Sequence, residues 1–215
     1  MSSSLTARPL FGGAISLDLP ENYIDASDLR QIPDNQEVFL SSTSDTAIVL
    51  EVLGMVEDGL ASTDLWEAVK FHFSSIAHDN ASLESKIITL PPSEPIKFNP
   101  SSNSLEEIKT PNPIILSGTQ LIHKFSHNSN GLPREGHEND LPDKVWIGIS
   151  LWRIWIQDEI KKTKKKADLV LSINVNLSDK NGNGEKEREN IESWFFNKCV
   201  KSLKIEDFNL FGDLE

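Results

Sequence analysis

VWIGISLWRIW, residues 145–155, is the stretch whose reading decides the fold. Val145, Ile147, Ile149 and Leu151 share one face, and Trp146, Gly148, Ser150 and Trp152 share the other. A two-residue period belongs to a strand. Aromatic residues opposite an aliphatic face predict a sheet covered on both sides. A second strand follows, in which Leu169, Leu171, Ile173, Val175 and Leu177 alternate with Ser172, Asn174 and Asn176. The intervening DEIKKTKKKAD is too short for a crossover helix, so the two strands are expected to pair as an antiparallel hairpin.

Outward from this hairpin the periodicity is mixed. Ala14–Leu19, Glu37–Leu40, Lys86–Leu90 and Ile114–Phe125 read as strands, the last softened by Gly118. Asp25–Leu29 fits one helical turn, and Pro33-Asp34-Asn35 reads as a chain reversal. Ile48, Val49, Val52, Leu53 and Val56 recur at helical spacing, which predicts a helix over Ser44–Glu57. A second helix is expected from near Thr63, turning Leu65, Trp66, Val69 and Phe73 inward. A third spans Glu187–Lys204, with Ile191, Trp194, Phe195, Cys199 and Leu203 on its apolar side. Polar segments at 91–113, 126–143 and 178–186 read as long loops. The resulting class is α+β, an antiparallel β-sheet flanked by helices, in a single domain over residues 1–215.

Charge narrows the function. The chain has 215 residues and a net charge of -12, and residues 1–60 alone carry -8. Such a surface is repelled by phosphate backbones and anionic lipids and steered toward basic partners. No direct nucleic-acid or membrane partner is expected. No segment approaches the ~20 apolar residues needed to cross a bilayer, and the N-terminus resembles neither a signal nor a transit peptide. The single cysteine, Cys199, excludes an internal disulfide framework and fits a reducing compartment.

Catalytic signatures are missing. Gly12-Gly13 lacks the rest of a phosphate-binding loop. His72, His78, His123, His127 and His137 show no H-E-x-x-H spacing, and His123 and His127, four apart, sit in a strand-to-loop region where helical spacing does not apply. Cys199 falls on an apolar stripe, and no serine sits in a nucleophile elbow. No cofactor, metal or catalytic residue is assigned. The basic run Lys161–Lys166 reads as a solvated hairpin tip with the composition of a nuclear localisation patch.

One acidic segment is distinctive. IDASDLRQIPDNQEVF, residues 24–39, with Glu21 upstream, gathers Asp25, Asp28, Asp34 and Glu37 around Arg30 within a frame of apolar and turn-forming residues. Together with PLFGGAI at 9–15 it resembles the Ran-binding proteins of the Mog type, the Ran guanine nucleotide release factors. Their pattern is P/L-x-G-G-A-I followed by I-D-x-S-x-L-R-x-V-P-D-x-Q-E-V, and Ile32 for Val is a mild departure. Weaker matches run through Thr46–Val56, Trp66–Phe73, Leu116-Ser117-Gly118 and Val170–Leu177.

The resemblance implies a fold similar to that of the photosystem protein PsbP. It also implies binding to the small GTPase Ran, nucleotide release without covalent chemistry, and a role in nuclear protein import. The implied location is the nucleus, and the cytoplasm as well; nothing demands more than a monomer. It assigns Asp34 and Glu37 as the leading partner-binding residues, with Asp25, Asp28 and Arg30 in support, unless Arg30 instead orients the acids by pairing with them. A non-exchange adaptor that uses the same acidic surface is the alternative.

Overall fold

The computed structural model describes residues 4–99, 109–124, 126, 130–158, 163–179 and 182–212. The hairpin expected from its sequence is the centre of the molecule. Strands β8 (Asp143–Asp158) and β9 (Thr163–Asn176) pair antiparallel from Val145↔Asn176 to Asp158↔Thr163. Five further strands extend them: β3 (Tyr23–Asp25), β4 (Gln36–Ser41), β5 (Ala47–Leu53), β6 (Glu84–Ile87) and β7 (Ile114–Ile122). The sheet order is β3-β4-β5-β9-β8-β7-β6, and every pairing is antiparallel. A second, three-stranded sheet has the order β1-β2-β10, from β1 (Leu5–Leu10), β2 (Ile15–Pro20) and β10 (Lys204–Ile205).

Both faces of the large sheet are covered. On one, α1 (Leu65–Asp79) lays Trp66, Ala68, Val69 and Phe73 against Val145, Ile147, Ile149, Leu151 and Val170. Its start is fixed by Asp64, whose carboxylate accepts the Trp66 N–H at 2.9 Å, a standard cap. Phe73 occupies space that exists because residue 118 is glycine: a Cβ there would lie 2.4 Å from the Phe73 ring and 2.5 Å from the Lys86 carbonyl oxygen. On the other face Trp146, Trp152, Leu169, Leu171 and Ile173 pack with Leu10, Ile15, Leu17 and Leu19 of the small sheet. They also meet Ile191, Trp194, Phe195 and Cys199 of the C-terminal segment.

Several expectations need correction. Ser44–Glu57 is not a helix; its ordered part is β5, between β4 and β9. A strand with neighbours on both edges and cover on both faces has no clean alternation, so its apolar run also fits a helical period. β1 was not expected at all. The strand predicted at Lys86–Leu90 ends at Ile87 and begins at Glu84. The C-terminal helix is α2 (Gly184–Trp194), followed by a π-helical turn at Phe195–Cys199 and a last helical turn at Val200–Ser202.

The described part of the lysine run is not a free tip. Lys164, Lys165 and Lys166 belong to β9. Lys165 is buried and donates to the Phe211 carbonyl at 2.9 Å. Lys166 pairs with Glu57 and lies 4.7 Å from the Trp155 ring centre. Lys161 and Lys162 lie outside the described residues, as do His127 and parts of all three expected loops. α2 begins within the third of those loops.

Candidate functional site

The acidic segment runs along one edge of the large sheet. β3 is the edge strand; it leads into a single 3-10 turn at Ala26–Asp28, then into the reversal before β4. Asp25 starts the 3-10 turn, its carboxylate accepting the Ser27 N–H at 2.8 Å. The Leu29 and Arg30 N–H groups both return to the Ala26 carbonyl at 3.0 Å. Ala26 is buried and anchors the turn. The reversal is closed by the Gln36 N–H on the Pro33 carbonyl at 2.9 Å. Asn35 extends the ladder: its carbonyl accepts the Val52 N–H at 2.9 Å, and its side-chain amide donates to the Val52 carbonyl at 3.3 Å. Short-range hydrogen bonds therefore hold in shape a segment too small to have a core of its own.

Its charged groups divide into two kinds. Asp28, Arg30 and Asp34 are exposed, and among the described residues none has a side-chain hydrogen bond or ion pair. Arg30 thus does not orient the acids by pairing with them. Asp25 is half-buried and its carboxylate serves the turn. Glu37 is half-buried, and its Oε1 accepts the Phe11 N–H at 2.5 Å. Burial pushes the Glu37 carboxyl above the usual carboxylate range, the Phe11 N–H opposes this, and the Asp25 charge adds to the rise. Sequence reasoning grouped Asp34 and Glu37 as equivalent; the structure separates a free acid from an engaged one.

Sequence reasoning also passed over two apolar side chains in this segment. Leu29 is 66% exposed and Ile24 is 44% exposed. An apolar side chain held out on an ordered turn among carboxylates is the usual make-up of an interface centre with a charged rim. Both belong to the quoted pattern, and that was the available signal.

Elsewhere the chemistry is structural. Asp168 is fully buried between strands and helix: Arg153 donates to it through Nε and Nη2 at 2.8 Å each, and the Val56 N–H at 3.1 Å. His72 Nε2 lies 2.9 Å from the same carboxylate. Arg153 also donates to the Ala61 carbonyl at 2.6 Å. Charged residues inside otherwise apolar strands were the sign of this network. Burial pushes the Cys199 thiol far up, so it stays protonated and unreactive. Among the described residues no group of three His, Cys, Asp or Glu side chains could hold a metal ion. Among the described residues no helix is long and apolar enough to cross a membrane.

Comparison with known proteins agrees with this fold. Residues 8–176 match the model of a family described as the Ran-interacting Mog1 protein. A zebrafish (Danio rerio) protein named Ran guanine nucleotide release factor is 34% identical over 131 residues, covering 57% of this chain and 63% of that protein. The nuclear import protein mog1 of Schizosaccharomyces pombe is 44% identical over 72 residues, 33% of this chain and 36% of that protein. The matched segments thus span less than two thirds of either relative. The crystal structure of the Saccharomyces cerevisiae Ran-binding protein Mog1p has the same fold, with a TM-score of 0.65 and 21% identity, covering 98% of this chain and 100% of that one.

Proposed function

Because the chain belongs to the Ran-interacting Mog1 family, we propose that it binds the small GTPase Ran and promotes guanine nucleotide release in support of nuclear protein import. It acts as a regulator without covalent chemistry, as a single monomeric domain, in the nucleus and also the cytoplasm. The observation that carries this reading is the family match over residues 8–176, which takes in the whole acidic edge.

A release factor works by linkage. It binds the empty GTPase more tightly than the loaded one, and it weakens nucleotide affinity by the same factor. A GTPase holds its phosphates with a lysine, backbone amides and Mg²⁺. An acidic edge is suited to approach such a positively charged region. Asp34, exposed and unpaired, is the leading contact, with Asp28 and Arg30 beside it. Leu29 supplies the apolar centre.

The test is the rate at which Ran loses a fluorescent guanine nucleotide, with and without this protein. The native protein should accelerate release. Asp34→Ala should reduce the acceleration mainly by slowing association, since a solvent-facing rim charge acts on encounter more than on dissociation. Full acceleration by Asp34→Ala would remove that residue from the site. Binding with no acceleration would instead make the protein a non-exchange adaptor for Ran.

A further inference from the structure

Glu37 touches its own chain before it could touch a partner. Its Oε1 accepts the Phe11 N–H, 26 residues away, at the tip of the β1–β2 hairpin. Phe11 has φ 50°, followed by Gly12 at 65° and Gly13 at 95°. A bulky residue with positive φ is costly and persists only where its surroundings enforce it. Three contacts hold Phe11 here: the Glu37 carboxylate on its N–H, the Ala14 N–H on its carbonyl at 3.2 Å, and its half-buried ring against the core. The hairpin is held elsewhere by other means. Leu10, Ile15, Leu17 and Leu19 are buried beneath it, and the Arg8 guanidinium lies 5.4 Å from the ring centre of Phe39, two residues along β4. Loss of Glu37 therefore removes the tether between the tip and the acidic edge and leaves the hairpin seated.

The tip is built for close approach. Gly12 and Gly13 are exposed, and a Cβ on either would meet nothing of this chain. Glycine there serves the backbone conformation and leaves bare main chain facing outward. Asp34 stands three residues before Glu37 in the turn that leads into β4. Glu37 thus joins the acidic edge to the hairpin tip.

We propose that Glu37 is a positioning residue. Its carboxylate fixes the Phe11-Gly12-Gly13 turn, and the turn, rather than the Glu37 charge, meets the same basic-faced partner that Asp34 meets. The inference rests on the Ran-docking reading above. The partner chemistry it implies is a basic side chain opposite Asp34 and a close, uncharged contact opposite the glycines.

A carboxamide distinguishes the roles, because the glutamine oxygen accepts the same N–H without charge. Ran affinity and nucleotide release would be measured for the full chain, with thermal midpoints to confirm folding. Glu37→Ala should weaken binding by about tenfold or more, the loss expected when a hydrogen bond to a charged group is removed. Glu37→Gln should recover most of that loss. Gly13→Val, which forces the turn out of its left-handed conformation and touches no charge, should reproduce it. Glu37→Ala with Gly13→Val should be no weaker than either alone. Glu37→Gln as weak as Glu37→Ala, with Gly13→Val binding normally, overturns the inference alone. Absence of Ran binding by the native protein removes the docking reading as well.

Discussion

Replacing Asp168 by alanine should destabilise the protein more than any change on the acidic edge. The carboxylate is fully buried and lies within 3.1 Å of four nitrogens: two on Arg153, one on His72 and the Val56 main chain. Removal leaves the Arg153 guanidinium buried and uncompensated, and an unpaired buried charge costs about 3–5 kcal/mol. In a chain of this length each kcal/mol lowers Tm by about 2–4 °C, a fall on the order of 10 °C. Urea unfolding followed by tryptophan fluorescence would measure it, with Trp152 buried beside Arg153 in β8. Arg153→Met with Asp168→Leu should unfold later than Asp168→Ala alone, because no charge is stranded. The Ala61 carbonyl loses its donor in that pair, so it should not exceed the native protein. Acid adds a second signature. Burial alone would raise the Asp168 carboxyl, but hydrogen bonds from Arg153 and His72, the Arg153 charge and the Val56 N–H together hold it below 3.8. The unfolded chain therefore takes up this proton first as pH falls. The stability contributed is complete above 3.8 and is lost as pH drops through the lower folded value. Asp168→Ala should lack that component. A destabilisation below about 1 kcal/mol, the size of an ordinary net hydrogen bond, would refute the reasoning.

Two smaller changes test the packing. Gly118→Ala drives a methyl group into the Phe73 ring and the Lys86 carbonyl, and should cost about 1–3 kcal/mol in urea unfolding, as overpacking does; a neutral result would mean that α1 can shift away from β7. Cys199→Ser buries a hydroxyl at a fully buried position, for a loss of about 1–3 kcal/mol. The native thiol should react with a disulfide reagent only through unfolding, so that its rate climbs with urea; a rate independent of urea would place it at the surface.

What was legible in the chain depended on whether the cause was local. The β8–β9 hairpin was readable because its period, its aromatic face and its short connection all specified the same structure. α1 was readable because Asp64 caps a clear apolar stripe. β5 was not, since what makes it a strand is β4 on one edge and β9 on the other, and β9 is remote from it in sequence. β1 was missed for a related reason. Its pattern, with Thr6, Arg8 and Pro9 among the apolar residues, carries no strand signal until β2 pairs with it from Leu5↔Pro20 to Leu10↔Ile15. The lysine run misled by composition: three of its members are strand residues, and the stem of Lys165 crosses buried ground to reach the Phe211 carbonyl.

The same distinction applies to the acidic edge. The exposure of Asp34 can be read from its neighbours, because Pro33, Asn35 and the Gln36 N–H define the turn that carries it. Glu37 cannot, because the group that engages it is a main-chain N–H 26 residues earlier. A pattern that joins G-G-A-I to P-D-x-Q-E records both halves of that contact without saying that they touch. If the two halves touch in order to hold one surface, they should vary together. A chain in which the position of Glu37 cannot accept a hydrogen bond should also lack the paired glycines, and one that retains the glycines should place Glu, Gln or another acceptor there. A contact that served only to stabilise the fold would set no such condition, because the hairpin is already held by its buried leucines and by Arg8 on Phe39. The left-handed turn at Phe11 is the costly part of the arrangement, and Glu37 is what ties it to the acidic edge.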